Sequence, residues 1–226
     1  MQCKQNKISV QIKKLKIDLQ KEGAMNFLTT LLNLRCCQEI IKASGPIRER
    51  IYTPFQIIRS FIKQILDADH SCSNAVISLA AERLNEGKKA ISLNTGPYVR
   101  ARKRLSEETP RALVKAVWEE SLKRVNKAWM PFGREVKLAD GTTVQMPDTK
   151  ANSKEFPKHA NKKKHIGFPV ARIVAVMSLT TGSVVDYEIA ACKGKGTGEI
   201  TLLRNLLSSI KENDLLVADR LYCNFF

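Results

Sequence analysis

The sequence predicts an α+β protein, a helical first part followed by a strand-rich second part. Three observations support this. Up to about residue 130 apolar residues recur at intervals of three or four, and beyond 134 the period switches to two or to continuous runs. The later segments can then be read in the order strand, strand, strand, helix, strand. A helical crossover ahead of the last short apolar run makes that strand parallel to another in its sheet. With 226 residues and 43% apolar composition the chain can bury a core as one large domain or two small ones. The expected division is a basic tail over 1–24, a helical region over 25–130 and a mixed-sheet region over 131–226.

In the helical part, Thr53-Pro54 reads as an N-cap with Pro at the first helical position, leading Phe55, Ile58, Phe61, Ile62, Ile65 and Leu66 down one face. Asp67-Ala68-Asp69-His70 breaks that helix. Ser71 can cap a second, lined by Cys72, Ala75, Val76, Leu79, Ala80 and Leu84, with Gly87 placed to end it. Asn94-Thr95-Gly96-Pro97 is a turn, and Thr109-Pro110 starts another helix along Leu113, Val117, Trp118, Ser121, Leu122 and Val125. Strands follow at 136–140, 170–179 and 183–191, the last two joined by a Thr180-Thr181-Gly182 hairpin turn. A polar, basic excursion fills 148–165. Glu199, Leu202, Leu203, Leu206, Leu207 and Ile210 mark a helix, and 215–219 is the final strand.

Charge narrows the partners. Lys and Arg number 38 against 22 Asp and Glu, a net charge of +16, which points to a polyanion. The longest uncharged apolar stretch, 27–34, falls far short of the roughly 20 residues of a membrane span. No secretory signal is legible at the N-terminus, so the expected location is cytoplasmic. The six cysteines show no C-x-x-C pair and no His at zinc-finger spacing, and read as reduced packing thiols.

Asp140 ends the run 136–139 and Asp219 ends the run 215–218. If their strands are neighbours, the backbones lie about 4.8 Å apart and the two carboxylates converge on one ion. Such hard oxygen ligands suit Mg²⁺ or Mn²⁺, which bridge to substrate phosphate and can serve in-line displacement at phosphorus. The alternative is an ordinary Asp-Gly turn at 140–141 and a strand-end cap at Asp219.

Several motifs in order resemble one family. They are Asp140-Gly141-Thr142-Thr143-Val144-Gln145-Met146-Pro147-Asp148-Thr149, Gly167-Phe168-Pro169-Val170-Ala171-Arg172, Gly194-Lys195-Gly196-Thr197-Gly198-Glu199 and Ala218-Asp219-Arg220-Leu221-Tyr222-Cys223. Upstream stand Tyr52-Thr53-Pro54-Phe55, Asp69-His70-Ser71-Cys72 and Thr95-Gly96-Pro97-Tyr98 with Arg100-Ala101-Arg102. Together, from about residue 25 onward, they resemble bacterial DDE transposases of the insertion-sequence-four family. The resemblance implies an N-terminal all-α DNA-binding region and an RNase H-like catalytic domain, incomplete here. It also implies Asp140 and Asp219 as catalytic, Mg²⁺-binding residues. The implied partners are double-stranded DNA, at the terminal inverted repeats and the target, and a second copy in a homodimer. The family's third acid lies in a Tyr-x-x-Arg-x-x-x-Glu signature well beyond the second Asp, which no residue here fills. Glu199 stands in the wrong place for it, before Asp219. The expectation is therefore a truncated transposase that binds DNA in the nucleoid without strand-transfer activity. The alternatives are a non-catalytic regulator or inhibitor of full-length transposase, and a different two-metal nuclease.

Other features carry less. Arg100, Arg102, Lys103 and Arg104 either follow DNA phosphates or form a solvated helix face, and the two preceding helices could be a helix-turn-helix. Lys162, Lys163 and Lys164, with Lys158, His159 and His165, either grip phosphate near the aspartates or form a flexible loop; Arg220 beside Asp219 joins the DNA-facing set. The Gly-rich 194–198 segment lacks the G-x-x-x-x-G-K-[ST] order and is read as a loop into a helix. His70 is read as part of a capping turn.

Overall fold

The computed structural model describes residues 29–44, 51–158 and 167–223, together with Gly23. It is a mixed α+β structure with two compact units, 1–110 and 111–226.

The first unit is helical. Helix α1 is Arg35–Ala43, with Cys37 and Ile41 buried. Helix α2, Pro54–Leu66, starts as its sequence predicts, with Pro54 in the first turn and the Thr53 hydroxyl accepting the Gln56 N–H at 3.2 Å. The Ser71 hydroxyl caps α3, Cys72–Asn85, by accepting the Asn74 N–H at 3.1 Å. Each such cap contributes about 1 kcal/mol. Past α3 the chain reverses through Gly87 at φ +69°, a conformation that favours glycine. Helix α4, Gly96–Arg102, packs its buried Tyr98 against Ala75 and Val76 of α3, while Ala101 meets Ile57 of α2. The Tyr98 hydroxyl donates to Gln64 Oε1 at 2.9 Å, so this largely buried phenol keeps a polar partner. Glu82 of α3 accepts from both Arg59 and Lys63 of α2, tying the two helices by charge.

Helix α5, Glu108–Arg124, crosses the division and from Arg111 onward belongs to the second unit. That unit holds a four-stranded sheet in the order β3-β2-β1-β4, with β1 at Val136–Gln145, β2 at Val170–Ser178, β3 at Ser183–Ala191 and β4 at Leu215–Ala218. β1 runs antiparallel to β2, and β2 to β3, whereas β4 is parallel to β1. Helix α6, Lys150–Glu155, lies in the connection from β1 to β2, and α7, Glu199–Asn205, in the crossover from β3 to β4. Ala139, Val174, Val176 and Val185 face one side of the sheet and pack with Trp118 of α5, Leu202 and Leu203 of α7, Leu206 and Tyr222. Strand alternation sends Leu138, Asp140 and Ala175 to the other face, where Met177, Ile189 and Val217 are exposed.

Lys137, on the packed face of β1, is fully buried. Its ammonium meets Asp214 at 2.6 Å, donates to the Ser209 carbonyl at 2.7 Å and lies 4.7 Å from the centre of the Trp118 ring. Glu135, 3.7 Å from the same ammonium, accepts the Trp118 indole N–H at 2.7 Å. A buried cation is tolerated only when paired and hydrogen-bonded, and here the polar partners Glu135, Ser209 and Asp214 come from segments flanking β1 or β4. The cluster therefore holds the parallel β1–β4 pairing at the end of the strands away from the aspartates.

Three features differ from the sequence reading. β1 does not end at Asp140, and the alternative of an Asp-Gly turn does not hold: the strand continues to Gln145, because the β-branched Thr142, Thr143 and Val144 go on pairing with Ile173, Arg172 and Ala171 of β2. The excursion after β1 contains α6, capped by the Thr149 hydroxyl. The expected helix over 199–210 is α7 followed by a 3₁₀ turn at Leu207–Ser209, where the Ser209 hydroxyl donates to the Leu206 carbonyl and its own carbonyl faces Lys137. Cys36, Cys37, Cys72 and Cys192 are free thiols. Among the described residues no helix is long and apolar enough to cross a membrane.

Candidate metal centre

The parallel register of β1 and β4 runs from Val136↔Leu215 to Ala139↔Ala218. Asp140 and Asp219 are the next residue on each strand, so two neighbouring strands deliver a carboxylate at the same level. Asp140, within β1, points to the face of the sheet opposite Ala139, and Asp219 directly follows the last residue of β4. Past this level β4 ends, and among the described residues β1 continues paired with β2 alone. Both aspartates are exposed. Asp140 Oδ1 accepts the Gly141 N–H at 2.8 Å, and the Asp219 carbonyl accepts the Tyr222 N–H at 2.9 Å at the start of a 3₁₀ turn, Arg220–Cys223.

Behind the pair lies a second acidic residue set. Glu199, the first residue of α7, accepts the Tyr222 hydroxyl at 3.3 Å and lies 3.6 Å from Arg172 Nε. Arg172 also donates from Nη1 to the Thr197 carbonyl at 2.8 Å, stitching the Gly-rich loop to β2. The Glu199 carboxylate stands over Gly141, where a Cβ would lie 2.7 Å from Cδ. Tyr222 is 3% exposed, and its phenol is pushed up to about 12, first by burial, then by the negative charge of Glu199, with Asp140 and Asp219 adding to it. One phenol thus feels all three carboxylates.

The three do not form one ligand set. Among the described residues, no three His, Cys, Asp or Glu side chains come together as a group that could hold a metal ion. Strand alternation explains this, because the Cβ direction of Gly141, which meets Glu199, is opposite to that of Asp140. Two hard carboxylates at one level of β1 and the end of β4 do suit a divalent cation that keeps most of its water.

The expected DNA-facing cations are spread out. Arg100, Lys103 and Arg104 are exposed at α4 and just after it. Arg102 differs: its guanidinium lies 4.2 Å from the centre of the Phe61 ring and donates to Gln64 Oε1 at 3.2 Å. Arg220 is exposed beside Asp219. Lys162, Lys163 and Lys164 lie outside the described residues, while Lys158 pairs with Asp148 at 2.7 Å. His70 sits in the capping turn, Nδ1 3.2 Å from the Gln64 carbonyl. Sequence reasoning missed the roles of Glu199, Arg172 and Tyr222; the available signal was a glycine inside a strand, which marks a close approach.

Compared with protein-family models, residues 131–225 match the one described as the Transposase DDE domain. The match covers the sheet and both aspartates, and supports a DDE transposase and a transposition-related function. Neither the curated proteins nor the solved structures gave a match to the chain.

Proposed function

We propose that this is a transposase-type protein of DNA transposition, of the insertion-sequence-four group, whose second unit has the RNase H-like arrangement and whose Asp140 and Asp219 hold Mg²⁺ or Mn²⁺. The observation that carries the reading is the parallel β1–β4 pairing, which brings the two aspartates to one level within the stretch that matches the transposase domain. A divalent ion bound there would supply charge stabilisation at a phosphodiester, the chemistry such a site serves. Double-stranded DNA is the partner, at the terminal repeats and the target, and the +16 charge supplies sequence-independent attraction. Arg100, Lys103, Arg104 and Arg220 contact phosphates; Arg102 acts by holding α4 against α2. The basic segment of Lys162, Lys163 and Lys164 adds to the same attraction, and two copies act on paired ends.

Among the described residues no three such side chains gather, and a pair of carboxylates would hold its ion weakly and cut DNA poorly. That favours a second reading, a DNA-binding regulator or inhibitor of a complete transposase. The test is a gel-shift titration against terminal-repeat and unrelated DNA at several salt concentrations, beside a Mg²⁺-dependent nicking assay. Preference for the terminal repeat, with a steep salt slope and little nicking, is expected. Equal binding to all DNA would contradict terminal recognition, and robust nicking would contradict the weak-metal reading. Each phosphate contact removed in R100A, K103A or R104A should reduce the slope of log K against log salt by about 0.9.

A further inference from the structure

We propose that Glu199 is a positioning residue for the Asp140–Asp219 pair, acting from the opposite face of the sheet; this rests on the reading of that pair as a metal site. Glu199 touches the back of both aspartate-bearing segments. On the β1 side its carboxylate occupies the space a Cβ at Gly141 would take, one residue from Asp140. On the β4 side it accepts the hydroxyl of Tyr222, whose N–H is bonded to the carbonyl of Asp219 itself. Arg172 of β2 stands 3.6 Å away, compensating the charge and joining the carboxylate to the strand that flanks β1 on its other side.

Such an arrangement matters here because β4 stops at Ala218 and its ladder with β1 ends at Ala139. At that level the link through Gly141, Glu199 and Tyr222 joins the two aspartate-bearing segments from behind the sheet. Glu199 is not placed as a third ligand, because its carboxylate lies along the Cβ direction of Gly141, opposite to that of Asp140. Its side chain acts through hydrogen bonding and contact, and glutamine keeps both. A methyl group at Gly141 would meet the end of a flexible side chain rather than backbone, so G141A displaces the carboxylate and leaves the fold intact.

The test is Mn²⁺ affinity of the full chain by electron paramagnetic resonance, with a melting curve for each variant. E199A, Y222F and G141A are expected to weaken Mn²⁺ binding about tenfold, the effect of losing an outer-shell partner. E199Q is expected to bind within about twofold of the parent, because Gln still accepts the Tyr222 hydroxyl. G141A/E199A should bind no more weakly than E199A, since the added methyl then displaces nothing. Parental affinity in E199A and G141A, or E199Q as weak as E199A, would overturn the inference while D140N still abolished binding. Parental Mn²⁺ binding by D140N would instead bring down the metal reading itself, and this inference with it.

Discussion

The Glu199 carboxylate and Gly141 are in a contact that leaves no room for a side chain at position 141: a Cβ there would lie 2.7 Å from Cδ of Glu199. The contact joins the start of α7 to the middle of β1, next to Asp140. Since a flexible carboxylate can swing away, G141A should melt within about 1 kcal/mol of the parent, as most substitutions that break no core packing do. Thermal unfolding followed by circular dichroism checks this. A much larger loss would mean that the backbone, and not Glu199, fills the space.

Tyr222 supplies a spectroscopic handle on the same cluster. Its phenol is pushed up to about 12, above the ordinary value near 10, by burial and by Glu199, Asp140 and Asp219. The folded state thus keeps the proton that the unfolded chain releases near pH 10, and the associated stability is present below that pH and is lost as pH rises toward 12. In an ultraviolet tyrosinate titration, the component missing from Y222F should have its midpoint near 12, and E199Q should lower that midpoint by removing a negative neighbour.

Lys137 should be the most sensitive surface-inaccessible charge of the second unit. K137M leaves Asp214 and Glu135 buried without their cation, and should cost about 3–5 kcal/mol in denaturant unfolding. Adding D214N should restore part of that loss, so that the double variant is more stable than the sum of the single effects predicts. Strict additivity would mean that the 2.6 Å contact contributes no coupling.

How much of this could be read from the sequence depends on the range of the interaction. Caps and periodicity are local, and Thr53, Ser71 and Gly87 act where the sequence places them. The helical crossover makes β4 a parallel strand, whereas its place beside β1 stands in the sequence only as a condition, met by the register of the two strands. Asp140-Gly141 was ambiguous because the dipeptide is equally a turn signal. Only pairing with Ala175 and Val174 of β2, more than 30 residues away, decides for strand. Glu199 was read through its distance in sequence from the family's third acid, and its proximity to Gly141 and Tyr222 comes from the crossover, which no local pattern encodes. The buried lysine was invisible for a similar reason, since a Lys alternating with apolar residues on a strand ordinarily faces water.

The helical unit has its own pH dependence through Glu82. Burial alone would raise its carboxyl, but hydrogen bonds and charge from Arg59 and Lys63 outweigh that and hold it below the usual carboxylate value. A depressed acid contributes stability above its unfolded value that is lost as pH falls through the folded one. Acid unfolding of the helical unit should therefore be shallower in E82Q than in the parent below the ordinary glutamate range, and the E82Q chain should be the less stable of the two at neutral pH. Identical acid profiles would show that the Arg59–Glu82–Lys63 bridge contributes nothing.

One divalent ion, held by Asp140 of β1 and Asp219 just past β4, is what the proposed function requires. Replacing Mg²⁺ by Fe²⁺, with ascorbate and peroxide, generates radicals that cut the polypeptide beside the bound ion, and mass spectrometry locates the cuts. Cleavage is expected near both Asp140 and Asp219, competed by Mg²⁺ and lost in D140N and in D219N. Cleavage at other segments, or a pattern unchanged by either substitution, would contradict it.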